Sequence, residues 1–152
     1  MTAAKWTAGF YQDANGRRPA EIWMGGLSVA KYAALRAAIK HVLEVQGMAL
    51  SGTLWMTPLG DGLYEFRVKH SERQILNMYS EITGDELPKK PLEKILLRVF
   101  VHFHGEQIVL LLGGYDKATD DSEKKQRAEI QVARKTLGAW RRQEALNRKK
   151  IS

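Results

Sequence analysis

The chain has 152 residues, of which 44% are hydrophobic and 27% charged, as in an ordinary globular protein. This length favours one domain with a single core. The absence of cysteine excludes disulfides, cysteine-ligated zinc and a thiol nucleophile. No stretch approaches the roughly 18 apolar residues of a membrane span, and the first residues lack the apolar segment of a secretory signal. We therefore expect a cytoplasmic protein with no membrane partner.

The net charge of +7 is concentrated at one end of the chain. Residues 1–121 hold 14 Lys or Arg and 14 Asp or Glu, whereas residues 122–152 hold 10 and 3. A basic segment at one end concentrates anions, above all phosphates. Charge alone leaves two interpretations open: a polyanion-binding helix, or a solvated helix face that only aids solubility.

The first half of the chain predicts a strand followed by helices. Residues 5–11 form a short strand pattern, and a cluster of turn residues separates it from a helical segment that begins at Pro19. Ser28 is suited to cap a second helix, whose apolar residues recur at helical spacing until Gly47 ends it.

The middle of the chain predicts two strands and a long connection. Residues 54–56 form a weak strand pattern, and the proline and glycines of 58–62 predict a turn. Residues 63–69 alternate between apolar and polar, as in a strand with one buried face. We interpret 70–94 as a long excursion between strands, with a short helix near Glu72–Tyr79.

The last third predicts a hairpin and a basic helix. Residues 95–103 and 108–112 form the two strands, and the glycine pair Gly113 and Gly114 is predicted to end the second. Asp120, Asp121 or Ser122 is suited to cap the last helix. Its predicted apolar stripe consists of Ile130, Ala133, Leu137 and Trp140. The order of elements predicts a single α+β domain in which helices pack on an antiparallel sheet.

Two predicted strands carry polar side chains along one face. These are Glu65, Arg67 and Lys69 on one strand, and Arg98, His102 and His104 on the other. Since sequential strands usually pair, the two rows are expected to lie side by side. Tyr115 and Lys117 follow the glycine pair, which we expect to be flexible enough to aim them at the same surface.

Such a surface suits cleavage of RNA by internal attack. That reaction removes a proton from the 2′-hydroxyl, stabilises a charged phosphorane and protonates the leaving oxygen. Arg67 and Arg98 are suited to hold the phosphate through forked hydrogen bonds. Lys117, Lys69, Tyr115 or a histidine would move protons, and a histidine would do so most simply because of its near-neutral pKa. The alternative is a tyrosine whose pKa is lowered by several nearby cations. The plainer alternative is that Arg67 only pairs with Glu65.

His102 and His104 also form a His-x-His pair, a spacing that can indicate a metal site. No third ligand at a sensible spacing accompanies them, and structural zinc normally has four. We therefore predict no metal and no other cofactor.

The ordered motifs LGDGLYEFRV, LLRVFVHFHGEQIVLLLGGYDK and DSEKKQRAEIQVARKTL resemble the phage-derived branch of the RelE/HigB toxin superfamily. The resemblance covers about residues 54–140. It implies a RelE-like fold, with N-terminal helices packed on a small antiparallel sheet and a basic helix at the end. The chain departs from the family pattern in its longer 70–94 segment, and in having one lysine, Lys117, where two often occur together.

The resemblance implies a toxin of a type II toxin–antitoxin pair that cleaves mRNA on the ribosome without a metal, and so inhibits translation. It also implies a helix-turn-helix antitoxin as partner. Matched position by position, the catalytic residues would be Arg67, Arg98, Tyr115 and Lys117. We assign RNA binding to Lys69, His102, His104, Lys124, Lys125 and Arg127. Two alternatives stay open: a non-catalytic ParE-like inhibitor of gyrase, and a nucleic-acid-binding protein of the same fold.

Overall fold

The computed structural model describes residues 4–79 and 93–151, and these residues form one five-stranded sheet with helices on both faces. The elements in chain order are β1 (Thr7–Phe10), α1 (Pro19–Gly25), α2 (Val29–Ala38), a π-helical segment (Ile39–Leu43), α3 (Glu44–Gln46), a 3-10 segment (Gly47–Leu50), β2 (Met56–Gly60), β3 (Leu63–Val68), α4 (Glu72–Tyr79), β4 (Leu97–His104), β5 (Ile108–Asp116) and α5 (Glu123–Ile151). The short helix predicted at Glu72–Tyr79 is confirmed, whereas residues 80–92 of the predicted excursion lie outside the described part.

The α+β class is confirmed, but the prediction of a purely antiparallel sheet is wrong. The strand order is β1-β5-β4-β3-β2, and β1 runs parallel to β5 while the other three pairs are antiparallel. A hairpin forces its two strands to be antiparallel. No hairpin joins β1 to its neighbour, because the N-terminal helices and three other strands lie between them in the chain.

Each face of the sheet is covered by a different set of helices. Leu97, Val99 and Val101 of β4 belong to the larger core cluster, together with the residues of α1, α2 and the π-helical segment. Phe100 faces the other way and packs in a second cluster with Ala133 and Leu137 of α5. The alternation predicted for β4 is therefore confirmed, and α5 lies on the face that carries the predicted polar rows.

The prediction that Gly113 and Gly114 end a strand is wrong, because β5 continues through both to Asp116. Gly113 pairs with Phe100, and Gly114 pairs with Val99. Tyr115 is therefore placed by regular strand pairing and not by a flexible turn.

The β2–β3 connection is tighter than predicted. Pro58 and Gly60 belong to β2, which is an edge strand and so tolerates a proline. The turn itself consists of Asp61 and Gly62, with φ of 55° and 81°. Positive φ at both positions is the condition for a two-residue type I′ hairpin.

Helix α5 follows the predicted pattern. Ser122 caps it, since its hydroxyl oxygen accepts from the amide of Lys125 at 3.1 Å. Ala133 and Leu137 are buried, and Ile130 and Trp140 pack beside them. In the described ranges, no helix combines the length and the apolar character needed to cross a membrane.

We expect Gly114→Ala to destabilise the fold by about 1–3 kcal/mol, because it overpacks the contact between α1 and β5. A Cβ at Gly114 would lie 2.6 Å from the carbonyl oxygen of Arg98 and about as close to the ring of Trp23. Gly113→Ala is the matched control, since a Cβ there meets nothing within 4 Å. Urea denaturation of both variants tests this, and equal losses would contradict it.

Candidate functional site

Three predicted catalytic residues lie at one level of the sheet. Arg67 of β3 pairs with Arg98 of β4, and Arg98 pairs with Tyr115 of β5. Glu65 lies two residues from Arg67 on the same face of β3. We call these four residues the arginine row. The predicted pairing of the two polar strands is thus confirmed at this end of the sheet.

Glu65 joins the two arginines. Its Oε1 lies 3.1 Å from Nε of Arg67 and 3.7 Å from Nε of Arg98. The Glu65 side chain has no exposed surface, and that of Arg98 is only 4% exposed. Because two guanidinium groups share one carboxylate, the row keeps a surplus of one positive charge.

Helix α5 covers most of the arginine row. The amide nitrogen Nε2 of Gln126 donates to Oε2 of Glu65 over 3.4 Å, a long hydrogen bond. Arg98 and Tyr115 are buried, whereas the Arg67 side chain is 29% exposed. Arg67 is therefore more accessible to a ligand than Arg98 or Tyr115.

Two polar atoms of the row lack a hydrogen-bond partner among the described residues: Nε of Arg98 and the hydroxyl of Tyr115. Burial raises the pKa of Tyr115, with Glu65 adding to the effect and Arg98 opposing it. The two arginines do lower this pKa, but loss of solvent outweighs them, so the alternative of a tyrosine with a lowered pKa does not hold. Burial likewise lowers the pKa of Arg98, against the opposing effect of Glu65.

The raised pKa of Tyr115 predicts a loss of stability in alkali. The phenol ionises near 10.0 in the unfolded chain and at higher pH in the folded one. Above that pH the unfolded state binds fewer protons, so the free energy of unfolding falls as pH rises. We expect a smaller fall in Tyr115→Phe than in the wild type when urea denaturation is compared between about pH 8 and pH 11. Parallel pH profiles would contradict this.

The predicted lysines and Arg127 belong to the ends of β3 and β5 and to the first turns of α5. The backbone amide of Lys117 donates to the carbonyl of Leu96 at 2.8 Å, which extends the β4–β5 pairing one residue past Asp116. Lys69 follows the end of β3 and is exposed. Lys124, Lys125 and Arg127 occupy the first turns of α5, where Nζ of Lys125 pairs with Glu129 at 2.8 Å.

His102 and His104 do not join the row. Phe100 stands between them and Arg98 on this face, and it stacks on the Tyr115 ring with centroids 6.1 Å apart. Both histidines contact Trp140 of α5 instead. The expected single surface is therefore two clusters at opposite ends of β4.

The sequence offered Glu65 as a partner of Arg67, but its contact with Arg98 and the contribution of Gln126 were missed. The Glu-x-Arg spacing was the available signal for Glu65, since it places both side chains on one strand face. No such signal exists for Gln126, because its contact with Glu65 depends on how α5 crosses the sheet. Across the two described ranges, no group of three His, Asp or Glu side chains could hold a metal ion.

No family model, curated protein or solved structure matches this chain.

Proposed function

We propose that this protein is an RNA-binding endoribonuclease that cleaves mRNA on the ribosome without a metal, as the toxin of a type II toxin–antitoxin pair. One observation carries the proposal: two arginines and a tyrosine, whose hydroxyl has no partner within residues 4–79 and 93–151, face one side of three adjacent strands. The family resemblance assigns phosphate binding and proton transfer to these same three positions.

The arginines are suited to bind the scissile phosphate. The contact with Glu65 involves Nε of Arg67, and the two terminal nitrogens of a guanidinium group form a fork that matches two phosphate oxygens. Arg98 lies in a low-dielectric environment, where its charge acts strongly on the developing phosphorane. In this scheme Arg67 captures the phosphate and Arg98 stabilises the transition state.

Tyr115 is suited to donate a proton. Its raised pKa makes the phenol a weaker acid, so the hydroxyl acts as a hydrogen-bond donor and can give its proton only to a strongly basic oxygen such as a leaving alkoxide. We assign it to the leaving 5′-oxygen. Glu65 is the candidate for accepting the proton of the 2′-hydroxyl, and the Lys117 side chain is suited to contact the phosphate.

Access to the row requires α5 to shift at its first turns. The polar contact there is the 3.4 Å bond from Gln126 to Glu65, which is at the limit of hydrogen-bond geometry. Lys124 and Arg127 are exposed on the same turns, where they can contact RNA phosphates. The helix-turn-helix antitoxin and the ribosome enter this proposal through the family resemblance.

A second candidate is a non-catalytic protein of the same fold, which binds nucleic acid or inhibits gyrase. The observation in its favour is that Glu65 pairs with both arginines while Arg98 is only 3% exposed. A buried ion-pair cluster of this kind also occurs in purely structural settings.

Expression in bacteria, followed by mapping of mRNA 5′ ends, separates the two candidates. We expect the wild type to stop growth and to create new ends inside translated codons. Arg67→Ala should remove both effects, because it removes the accessible phosphate ligand. Arg36→Ala is the control, since Arg36 is exposed on α2, on the other side of the sheet.

Growth arrest without new mRNA ends would overturn the nuclease proposal, and accompanying DNA damage would favour gyrase as the target. The absence of any arrest would favour a nucleic-acid-binding protein. Equal activity of the Arg67 and Arg36 variants would remove the arginine row from the mechanism.

A further inference from the structure

A second cluster lies at the end of β4 opposite Arg98. The ring of Trp140 lies 5.3 Å from that of His102 and 4.6 Å from that of His104, measured between centroids. His102 is also fixed by the β2–β3 turn, since its Nδ1 donates to the carbonyl of Gly62 at 2.7 Å. The aromatic rings are therefore held in fixed positions between α5 and the sheet.

A cavity of about 300 Å³ opens beside these rings. It is lined by His104, Gly105, Trp140, Arg141, Glu144 and Arg148, and we call it the Trp140 pocket. This volume is at the lower end of the range for small-molecule sites, so it suits a single ring system with its substituents.

The charges around the Trp140 pocket favour an anion. The pocket lining contains two cations, Arg141 and Arg148, against the single carboxylate of Glu144. The Asp61 carboxylate pairs with Arg141 from outside the lining, but its side chain is 82% exposed, so solvent weakens its opposing effect. Arg141 is held in place by the turn, since Nη1 lies 3.1 Å from Oδ2 of Asp61 and Nη2 donates to the Asp61 carbonyl at 2.7 Å. Holding the guanidinium group in advance reduces the entropy lost when a ligand binds.

Aromatic rings beside arginines match the two parts of a nucleotide. Every nucleobase has a π-face that stacks on aromatic side chains, and guanidinium groups bind phosphate oxygens. We propose that the Trp140 pocket binds one nucleotide of single-stranded RNA, with the base against Trp140 and His104 and the phosphate at Arg141 and Arg148.

The Trp140 pocket lies on the same sheet face as the arginine row, at some distance from it. His104 lies six positions after Arg98 on β4, which corresponds to roughly 20 Å along a strand. The bound nucleotide is therefore not the one that is cleaved, and the pocket adds a distant contact that orients the strand. This inference rests on the proposed function in taking RNA as the ligand.

Binding of a fluorescently labelled, single-stranded 2′-O-methyl oligoribonucleotide tests the inference by anisotropy. This probe has no free 2′-hydroxyl, so binding is measured whether or not the protein is a nuclease. We expect Trp140→Leu and Arg148→Ala each to raise Kd about tenfold. Trp140→Leu removes the ring on which the base stacks, and Arg148→Ala removes a phosphate contact. Arg148 is exposed near the end of α5, so its variant tests the pocket even if Trp140→Leu misfolds.

Lys135→Ala is the matched control, because Lys135 is an exposed cation of α5 that does not line the pocket. Because salt screens a single surface charge, this variant should change Kd by less than about twofold. Equal effects of Lys135→Ala and Arg148→Ala would overturn the inference in favour of unspecific charge. Binding of AMP as tight as that of the oligonucleotide would overturn it in favour of a free-nucleotide site. If only the nuclease proposal is wrong, the protein will still bind the oligonucleotide in a way that depends on Arg148, but it will not cleave mRNA on the ribosome.

Discussion

Glu65→Ala should lower the free energy of unfolding by about 3–5 kcal/mol, because it leaves a buried guanidinium group without its counter-charge. The Glu65 side chain is fully buried, and Arg98 beside it is 4% exposed. Water can hydrate the Arg67 guanidinium group more easily, since 29% of its side chain is already exposed. The loss therefore comes mainly from Arg98. Urea denaturation with circular dichroism at neutral pH measures it.

The matched control is Glu21→Ala, which removes a carboxylate from an arginine at the surface. Arg18 and Glu21 lie 3.7 Å apart with side chains 47% and 53% exposed, so solvent screens their interaction and little stability is lost. If Glu65→Ala were as mild as this control, the arginine row would tolerate an unpaired charge. The description of Glu65 as its electrostatic centre would then be wrong.

The stability of the row also bears on its function. A site that binds phosphate keeps cations together in the absence of ligand, and their repulsion has to be offset by a group within the fold. Glu65 provides that offset with one charge for two arginines. In the proposed function, a phosphate that approaches Arg67 would add the second negative charge, so RNA binding and neutralisation of the row would coincide.

Much of the fold follows from periodicity in the sequence. Alternation along 95–103 assigned Leu97, Val99 and Val101 to one face, and these residues are buried in the larger core cluster. The apolar stripe of the last helix was equally clear, and Ala133 and Leu137 are buried. Such patterns can be interpreted from the sequence because each depends only on which face of one helix or strand is buried.

The errors arose where tertiary contacts override local signals. A glycine pair usually interrupts a strand, but Gly114 is required by the ring of Trp23, which leaves no space for a side chain. The parallel direction of β1 depends on the path of the N-terminal helices, and the sequence of β1 does not indicate it. The burial of Arg98 has the same origin, because α5 approaches from 25 or more positions further along the chain.

The candidate site was predictable in its membership and less so in its geometry. Strand register brought Arg67, Arg98 and Tyr115 together as expected. The same alternation placed His102 and His104 on the same face, but periodicity does not show which residues a helix will contact. Phe100 separates the histidines from the row, and Trp140 of α5 packs against both histidines.

Tyr115→Phe should reduce the rate of RNA cleavage by roughly 10²–10⁴-fold, the usual contribution of a general acid. The hydroxyl has no hydrogen-bond partner among the described residues, so its removal costs the fold no bond and relieves a buried polar atom. We therefore expect the variant to be at least as stable as the wild type at neutral pH. Single-turnover cleavage of mRNA on programmed ribosomes measures the rate.

Tyr11→Phe provides a matched control for this result. Tyr11 is a buried tyrosine of the same apolar cluster, and burial raises its pKa as well, but it lies beyond β1 and outside the arginine row. Both variants lose the hydroxyl group of one buried tyrosine, and of the two tyrosines only Tyr115 faces the arginines. A large loss of rate in Tyr115→Phe with little change in Tyr11→Phe would assign proton donation to Tyr115. Equal rates in the two variants would show that the phenol of Tyr115 is a packing element, and the leaving oxygen would then need another donor.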